Sequence, residues 1–279
     1  MSDVSRERVF PTEGYAMAGL YPVSHPQTLA RASVRRIGLD DLRFALRNGL
    51  DDFIAMPTHA LFLIAIYPVA GVLIAAATFE NDLIPLMFPL ASGFALLGPF
   101  AAIGLYEMSR RREQGRDIGL INAYAPLTGQ SAKAIGVVAL TLSLLFVAWL
   151  IAAMALYWTL YGEARQDSIF GFLQEVLTTP RGWMLIVVGN LVGAAFSLIA
   201  LAISAVSFPL IIDRGTEAGT AIATSVALVQ QNPGTMVVWG LIVAGLLTLG
   251  MLPLFVGLAL VLPILGHATW HLYRRAVMP

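Results

Sequence analysis

The stretch that decides the fold is Pro253-Leu254-Phe255-Val256-Gly257-Leu258-Ala259-Leu260-Val261-Leu262-Pro263, which runs on to Trp270-His271 and Arg274-Arg275. It repeats a pattern met earlier in the chain, Pro89-Leu90-Ala91-Ser92-Gly93-Phe94-Ala95-Leu96-Leu97-Gly98-Pro99, which runs on to Tyr106-Glu107 and Arg110-Arg111-Arg112. Both read P-L-x-x-G-x-A-L-x-x-P, then an aromatic–ionisable pair, then Arg-Arg, in one ungapped register. The matching endings read as an internal repeat. The consequence falls on the apolar run 235–273. As a single helix it would be about 58 Å long, nearly twice the roughly 30 Å hydrocarbon core of a bilayer. Pro89 begins the body of one span, so Pro253 begins another and the run divides into two.

Composition agrees with a membrane setting. Of 279 residues, 58% are hydrophobic, 12% are charged and none is cysteine. A soluble domain has about 45–50% apolar and about 25% charged residues. Halving the charge leaves too little polar surface to cover a globule, so the chain reads as an integral membrane protein. The formal net charge of zero offers nothing to a nucleic acid. Without cysteine there are no disulfides or thiolate metal sites. No apolar segment precedes residue 57, so no cleavable signal peptide is expected.

Taken in order, residues 1–36 are polar and irregular and read as a flexible cytoplasmic tail. A membrane domain follows over 37–275. It opens with an interfacial helix at 39–54, where Leu39, Leu42, Leu46, Leu50 and Phe53 recur at helical spacing. Asp40, Asp41, Arg43, Arg47, Asp51 and Asp52 fall largely on other faces. Such a helix lies on a membrane surface, and Arg31, Arg35 and Arg36 before it suit anionic headgroups. Packing against the protein's own spans accounts for the stripe equally well. Spans of about 20 residues are expected at 57–79, 84–107, 134–160, 183–211, 235–250 and 253–273. Residues 162–182 form a loop with a short surface helix. A mildly amphipathic segment at 216–231 is stopped by Asn232-Pro233-Gly234.

Charge placement sets the orientation. With six spans and both termini inside, every Arg and Lys except Arg165 and Arg181 is cytoplasmic, a strong positive-inside bias. The expected fold is therefore all-α: a polytopic bundle of six transmembrane helices in three hairpin units, with cytoplasmic interfacial helices.

Two stretches carry a family resemblance. Gly93-Phe94-Ala95-Leu96-Leu97-Gly98-Pro99, continued through Gly104-Leu105-Tyr106-Glu107-Met108-Ser109-Arg110-Arg111-Arg112-Glu113, resembles the signature of an uncharacterised family of bacterial integral membrane proteins, a domain of unknown function (family 2189). Val261-Leu262-Pro263-Ile264-Leu265-Gly266-His267-Ala268-Thr269-Trp270-His271 resembles its C-terminal signature, and Pro209-Leu210-Ile211-Ile212-Asp213-Arg214 also matches. The resemblance implies a bacterial inner (plasma) membrane protein and supplies no activity. Some members carry the label cytochrome oxidase subunit I. With four histidines in all, this chain argues against that label.

Few residues could carry chemistry. His267 and His271 stand four apart on one helical face, where two imidazoles can share a metal. His59, Glu107 and Asp213 are expected at the same membrane depth and complete a weak ligand set. The plainer reading is that ionisable groups gather at helix ends because water is there, and that histidine suits a helix C-terminus. A transporter places charged groups inside the membrane to couple ions, and the spans carry none away from their ends. Pro99 and Pro263 are expected to break their helices at matching positions, which would frame a site for a small solute. Gly189 and Gly193, extended by Ser197, form a small-residue face for helix packing. No nucleophile elbow, phosphate loop or buried carboxylate pair is present, so no enzyme and no cofactor is implied. The leading reading is a non-enzymatic accessory or scaffold subunit. Its partners are the lipid bilayer and a homo-oligomer or larger membrane complex, with no nucleic acid.

Overall fold

The computed structural model describes residues 32–56, 71, 84–86, 88–90, 98–162, 169–252 and 256–278. These residues are mostly helical and contain no strand; one antiparallel bridge joins Val34 to Val277. The span expected at 57–79, with His59, lies outside the described residues apart from Gly71, as do residues 91–97 of the next.

Helix α1 (Leu39–Ala55) starts after Gly38, whose backbone N–H donates to Asp41 Oδ2 at 3.0 Å. Asp40 and Asp41 in its first turn suit the positive end of the helix dipole. Its buried stripe is Leu42, Ala45, Gly49 and Asp52, whereas Leu39, Phe44, Leu50 and Ile54 are exposed. Of the expected stripe, Leu42 is buried and Leu46 and Phe53 pack against the core, while Leu39 and Leu50 are turned outward. Small residues win the contact because they let two backbones meet. A Cβ on Gly49 would lie 2.5 Å from the backbone nitrogen of Ala268.

A single turn at Gly98–Ala101 leads into α2 (Ile103–Glu113), which is buried on every side from Ile103 to Ser109. Helix α3 (Ala132–Tyr161) contains the span expected at 134–160. Helix α4 (Ile169–Thr178) is the short surface helix, folded back on α5 (Pro180–Ser204) so tightly that a Cβ on Gly182 would strike the backbone of Val176. Tyr157 and Tyr161 stack at 5.0 Å beside this turn, and the Arg181 guanidinium sits over the Tyr161 ring at 5.1 Å.

The span expected as one helix over 183–211 is interrupted. Helix α5 ends at Ser204 and α6 (Ser207–Arg214) begins after Val206. Pro209 is the cause: it has no N–H to give the carbonyl of Ala205, and its ring crowds that carbonyl. Residues Ser207–Ile212 of α6 are buried in the core. Helix α7 (Ala218–Gln231) occupies the mildly amphipathic segment and ends at Asn232.

The apolar run 235–273 does divide. Helix α8 (Pro233–Met251) and helix α9 (Leu258–Ala276) are separate and pack side by side. Gly257, the glycine of the repeated pattern, meets Gly250 there: a Cβ on Gly257 would lie 2.8 Å from Gly250 Cα. The break expected at Pro263 is absent, since α9 runs through that residue. Proline is tolerated in membrane helices where neighbouring groups take up the freed carbonyl.

Among the described residues, three helical runs, Ala132–Tyr161, Pro180–Arg214 and Pro233–Met251, are long and apolar enough to cross a membrane. Their outward faces carry Leu140, Leu144, Ile151, Leu191, Leu241 and Leu249, all exposed. A surface that apolar is stable when its solvent is hydrocarbon. At the other extreme, residues 32–38 are held by polar bonds. Ala32 N donates to Thr224 Oγ1 at 3.0 Å, Arg35 N to the Ala276 carbonyl at 3.0 Å and Ile37 N to Asn232 Oδ1 at 2.8 Å. The last residues of the stretch read as a tail therefore lie against α7, α8 and the chain's C-terminal segment.

Because Gly49 touches backbone, Gly49→Val should lower stability by about 1–3 kcal/mol, the usual cost of overpacking. Thermal unfolding in detergent checks this, and Asn48→Ala, one residue along, should leave the midpoint nearly unchanged.

Candidate functional site

The polar centre of the molecule is Asp52, 4% exposed, carried into the interior by the small-residue face of α1. Its Oδ2 accepts from Ser109 Oγ of α2 at 2.5 Å and from His271 Nε2 of α9 at 2.9 Å. Arg112 Nη1 donates to Oδ1. A carboxylate can only accept, so the directions are settled. Ser109 spends its one proton on Asp52, and its oxygen accepts from His267 Nδ1 at 2.7 Å. His267 Nε2 is fully buried, with the Leu105 backbone beside the ring.

Burial by itself raises the Asp52 carboxyl, but the hydrogen bonds from His271, Ser109 and Arg112 outweigh it and hold the group below its ordinary value of 3.8. The carboxylate is charged, and two helices, α2 and α9, donate to it.

Four further acidic side chains, Glu107, Asp213, Glu113 and Asp41, are held by other partners. Glu107 is fully buried, and Arg110 grips both its oxygens, at 2.8 and 3.1 Å, while Arg111 Nε reaches Oε1 at 2.7 Å. Arg110 Nη1 also donates to the Ile212 carbonyl at 2.9 Å, satisfying a backbone acceptor near the end of α6. Asp213 accepts from Tyr273 Oη at 2.6 Å and from Arg274 Nη1 at 3.4 Å. Glu113 takes the Trp270 Nε1 proton at 3.0 Å and pairs with Arg274. Asp41 pairs with Arg275, whose guanidinium lies 4.4 Å from the Phe44 ring centroid.

Of the proposed ligand set, then, His267 and His271 come together, and the residue they meet is Asp52. Glu107 and Asp213 are turned to arginine and tyrosine partners, and His59 lies outside the described residues. Among the described residues no group of three or more His, Asp and Glu side chains could hold a metal ion. The Arg112 charge on Asp52 also works against a cation there. Ser, His and Asp are all present, but in the wrong order for an activated nucleophile. That chemistry needs histidine to take the serine proton with the carboxylate behind it; here serine stands between and gives its proton to Asp52.

The remaining candidates are placed as follows. Gly189 and Gly193 face α3, where Cβ atoms would meet Leu156 at 3.7 Å and Trp149 at 3.1 Å, while Ser197 is exposed. Pro99 lines a cavity between helices and Pro263 is buried outside its lining.

Asp52 was placed on the polar side of α1 by the leucine pattern. The signal that finds it is Ala45-x-x-x-Gly49, a small-x-x-x-small pair with Asp52 one turn further on the same face.

A chain whose long helices turn apolar side chains outward in this way is an integral membrane protein. Residues 87–213 match the family described as predicted integral membrane protein (DUF2189), which shows the resemblance over that stretch. The match takes in Ser109 and Arg112 and ends at Asp213, so Asp52, His267 and His271 lie outside it. No curated protein and no solved structure matches the chain.

Removing the acceptor strands the buried Ser109 hydroxyl and leaves the half-buried His271 and the exposed Arg112 unpaired, so Asp52→Ala should cost about 1–3 kcal/mol, whereas Asp52→Asn, which keeps one acceptor, should cost less. The pH dependence has a definite sign. A carboxyl held below 3.8 by the fold stabilises above that value, and the contribution is lost as pH falls through the lowered one. Hydrogen exchange of the α1 amides should therefore quicken only below about pH 4, and Asp52→Asn should remove that acid-dependent step.

Proposed function

We propose that the chain is a six-span protein of the inner membrane, with both termini in the cytoplasm, acting as a non-enzymatic accessory or scaffold subunit. The observation that carries this reading is the use made of charge. Asp52, Glu107, Asp213 and Glu113 all have basic or polar partners within the molecule, so the charge is spent joining α1, α2, α6 and α9 into one platform. Beyond that platform α5 turns Trp183, Met184, Val187, Leu191, Leu198 and Ile199 outward. That arrangement suits assembly with other membrane helices more than turnover of a substrate.

The orientation follows from the basic residues. Gln114 and Thr178 then fall on opposite sides of the membrane. The chain has no cysteine, so single substitutions report cleanly: Thr178→Cys should react with an impermeant maleimide in intact cells, and Gln114→Cys only after lysis. The scaffold reading is tested by extraction in mild detergent with cross-linking. A discrete species larger than the monomer, weakened by bulky substitution at Leu191, is the expected result; monomer alone, with nothing cross-linked, counts against it.

A further inference from the structure

A cavity of about 120 Å³ lies among the Gly98–Ala101 turn, α2, α5, α8 and α9. Its wall follows α8 from Trp239 to Met251 and α9 from Leu258 to Thr269. At 1.5 Å of rise per residue those edges are about 18 Å and 16 Å long. The space is therefore a narrow slot running along the helices, not a rounded chamber.

Its chemistry is uniform. No charged side chain lines it. Of the three hydroxyl-bearing residues in its wall, Tyr106, Ser204 and Thr269, Ser204 Oγ is committed to the Ala200 carbonyl and Thr269 Oγ1 to the Leu265 carbonyl, each at 2.7 Å. An apolar cavity of this order, lined by aliphatic side chains, stays dry and accepts apolar guests. At Gly98 an added Cβ would meet nothing within 4 Å, whereas at Gly266 it would strike Leu105 Cδ1 at 2.5 Å. The wall has room on the Gly98 side and is closed beneath Gly266.

We infer that this slot is a binding site for one hydrocarbon chain of a bilayer phospholipid. Three features select that guest. The slot is about as long as one leaflet's share of the roughly 30 Å hydrocarbon core. A volume of about 120 Å³ spread along roughly 16–18 Å of helix suits an extended chain better than a polar headgroup. Its wall carries no charged side chain to hold an ionic solute. The source is at hand, because the helices that form it turn Leu241, Leu249 and Leu260 outward as exposed apolar side chains. The inference rests on the chain being an integral membrane protein and is independent of the scaffold reading.

The test reconstitutes the full chain in vesicles of phosphatidylcholine and phosphatidylglycerol containing a phospholipid with a diazirine near the end of one acyl chain. After irradiation, the labelled residues are mapped by mass spectrometry. Labels are expected on the slot residues Leu247, Met251 and Leu262 as well as on the lipid-facing Leu191. Gly98→Leu, which places a side chain in the slot, should abolish the first set and leave the second. Should that variant fail to fold, Val243→Phe narrows the slot from the opposite wall. Absence of slot labels in the unaltered chain overturns the inference. So do slot labels that persist in the filled variant, or slot labelling by a small apolar diazirine but not by the phospholipid.

Discussion

The structure depends on the burial of one carboxylate. An ionised Asp52 in the interior would be costly if left alone, since each charge taken from water forfeits several kcal/mol of solvation. It is tolerated because Ser109, Arg112 and His271 reach it together, from α2 and α9. That convergence is possible only where α1 comes within backbone contact of α9, and Gly49 opposite Ala268 provides the approach. Packing and electrostatics are coupled here: the small-residue contact brings the charge in, and the charge holds the contact closed.

The same logic accounts for the two layers of the molecule. Where α3, α5 and α8 face outward, apolar side chains need no partner but hydrocarbon, and the helices are free to expose them. Where α1, α2, α6 and the end of α9 meet, polar groups are buried and each must be answered. Tyr273 answers Asp213, Trp270 answers Glu113, and Arg110 answers both Glu107 and a backbone carbonyl. Rigidity belongs to this polar layer, and the outward apolar faces are left for lipid or for other helices.

The two ends of the repeated pattern are used differently. Glu107 turns to arginines on its own helix, while His271, at the matching position, reaches across to Asp52 on α1. Much of the outline was legible from the residues. The helices at Ala132–Tyr161 and Pro233–Met251 follow from apolar length alone, and the division of 235–273 follows from the pattern around Gly257. The interruption before α6 was legible too, in Pro209, but apolarity masked it. The partners of His267 and His271 were not legible. An i, i+4 histidine pair states that two imidazoles share a face, and any acceptor in the bundle could stand opposite.

By itself, then, the amino-acid sequence determined the membrane setting, the all-helical class and the residues that form the long apolar helices. These rest on local properties, namely hydropathy, proline and glycine placement and the distribution of arginine. Only the tertiary structure decided that Asp52 is the node, that Ser109 relays between it and His267, and that α1 meets α9 through its small residues. Those outcomes hang on which backbones can approach within hydrogen-bonding reach of one another. That is a property of packed pairs of helices, and no single segment carries it.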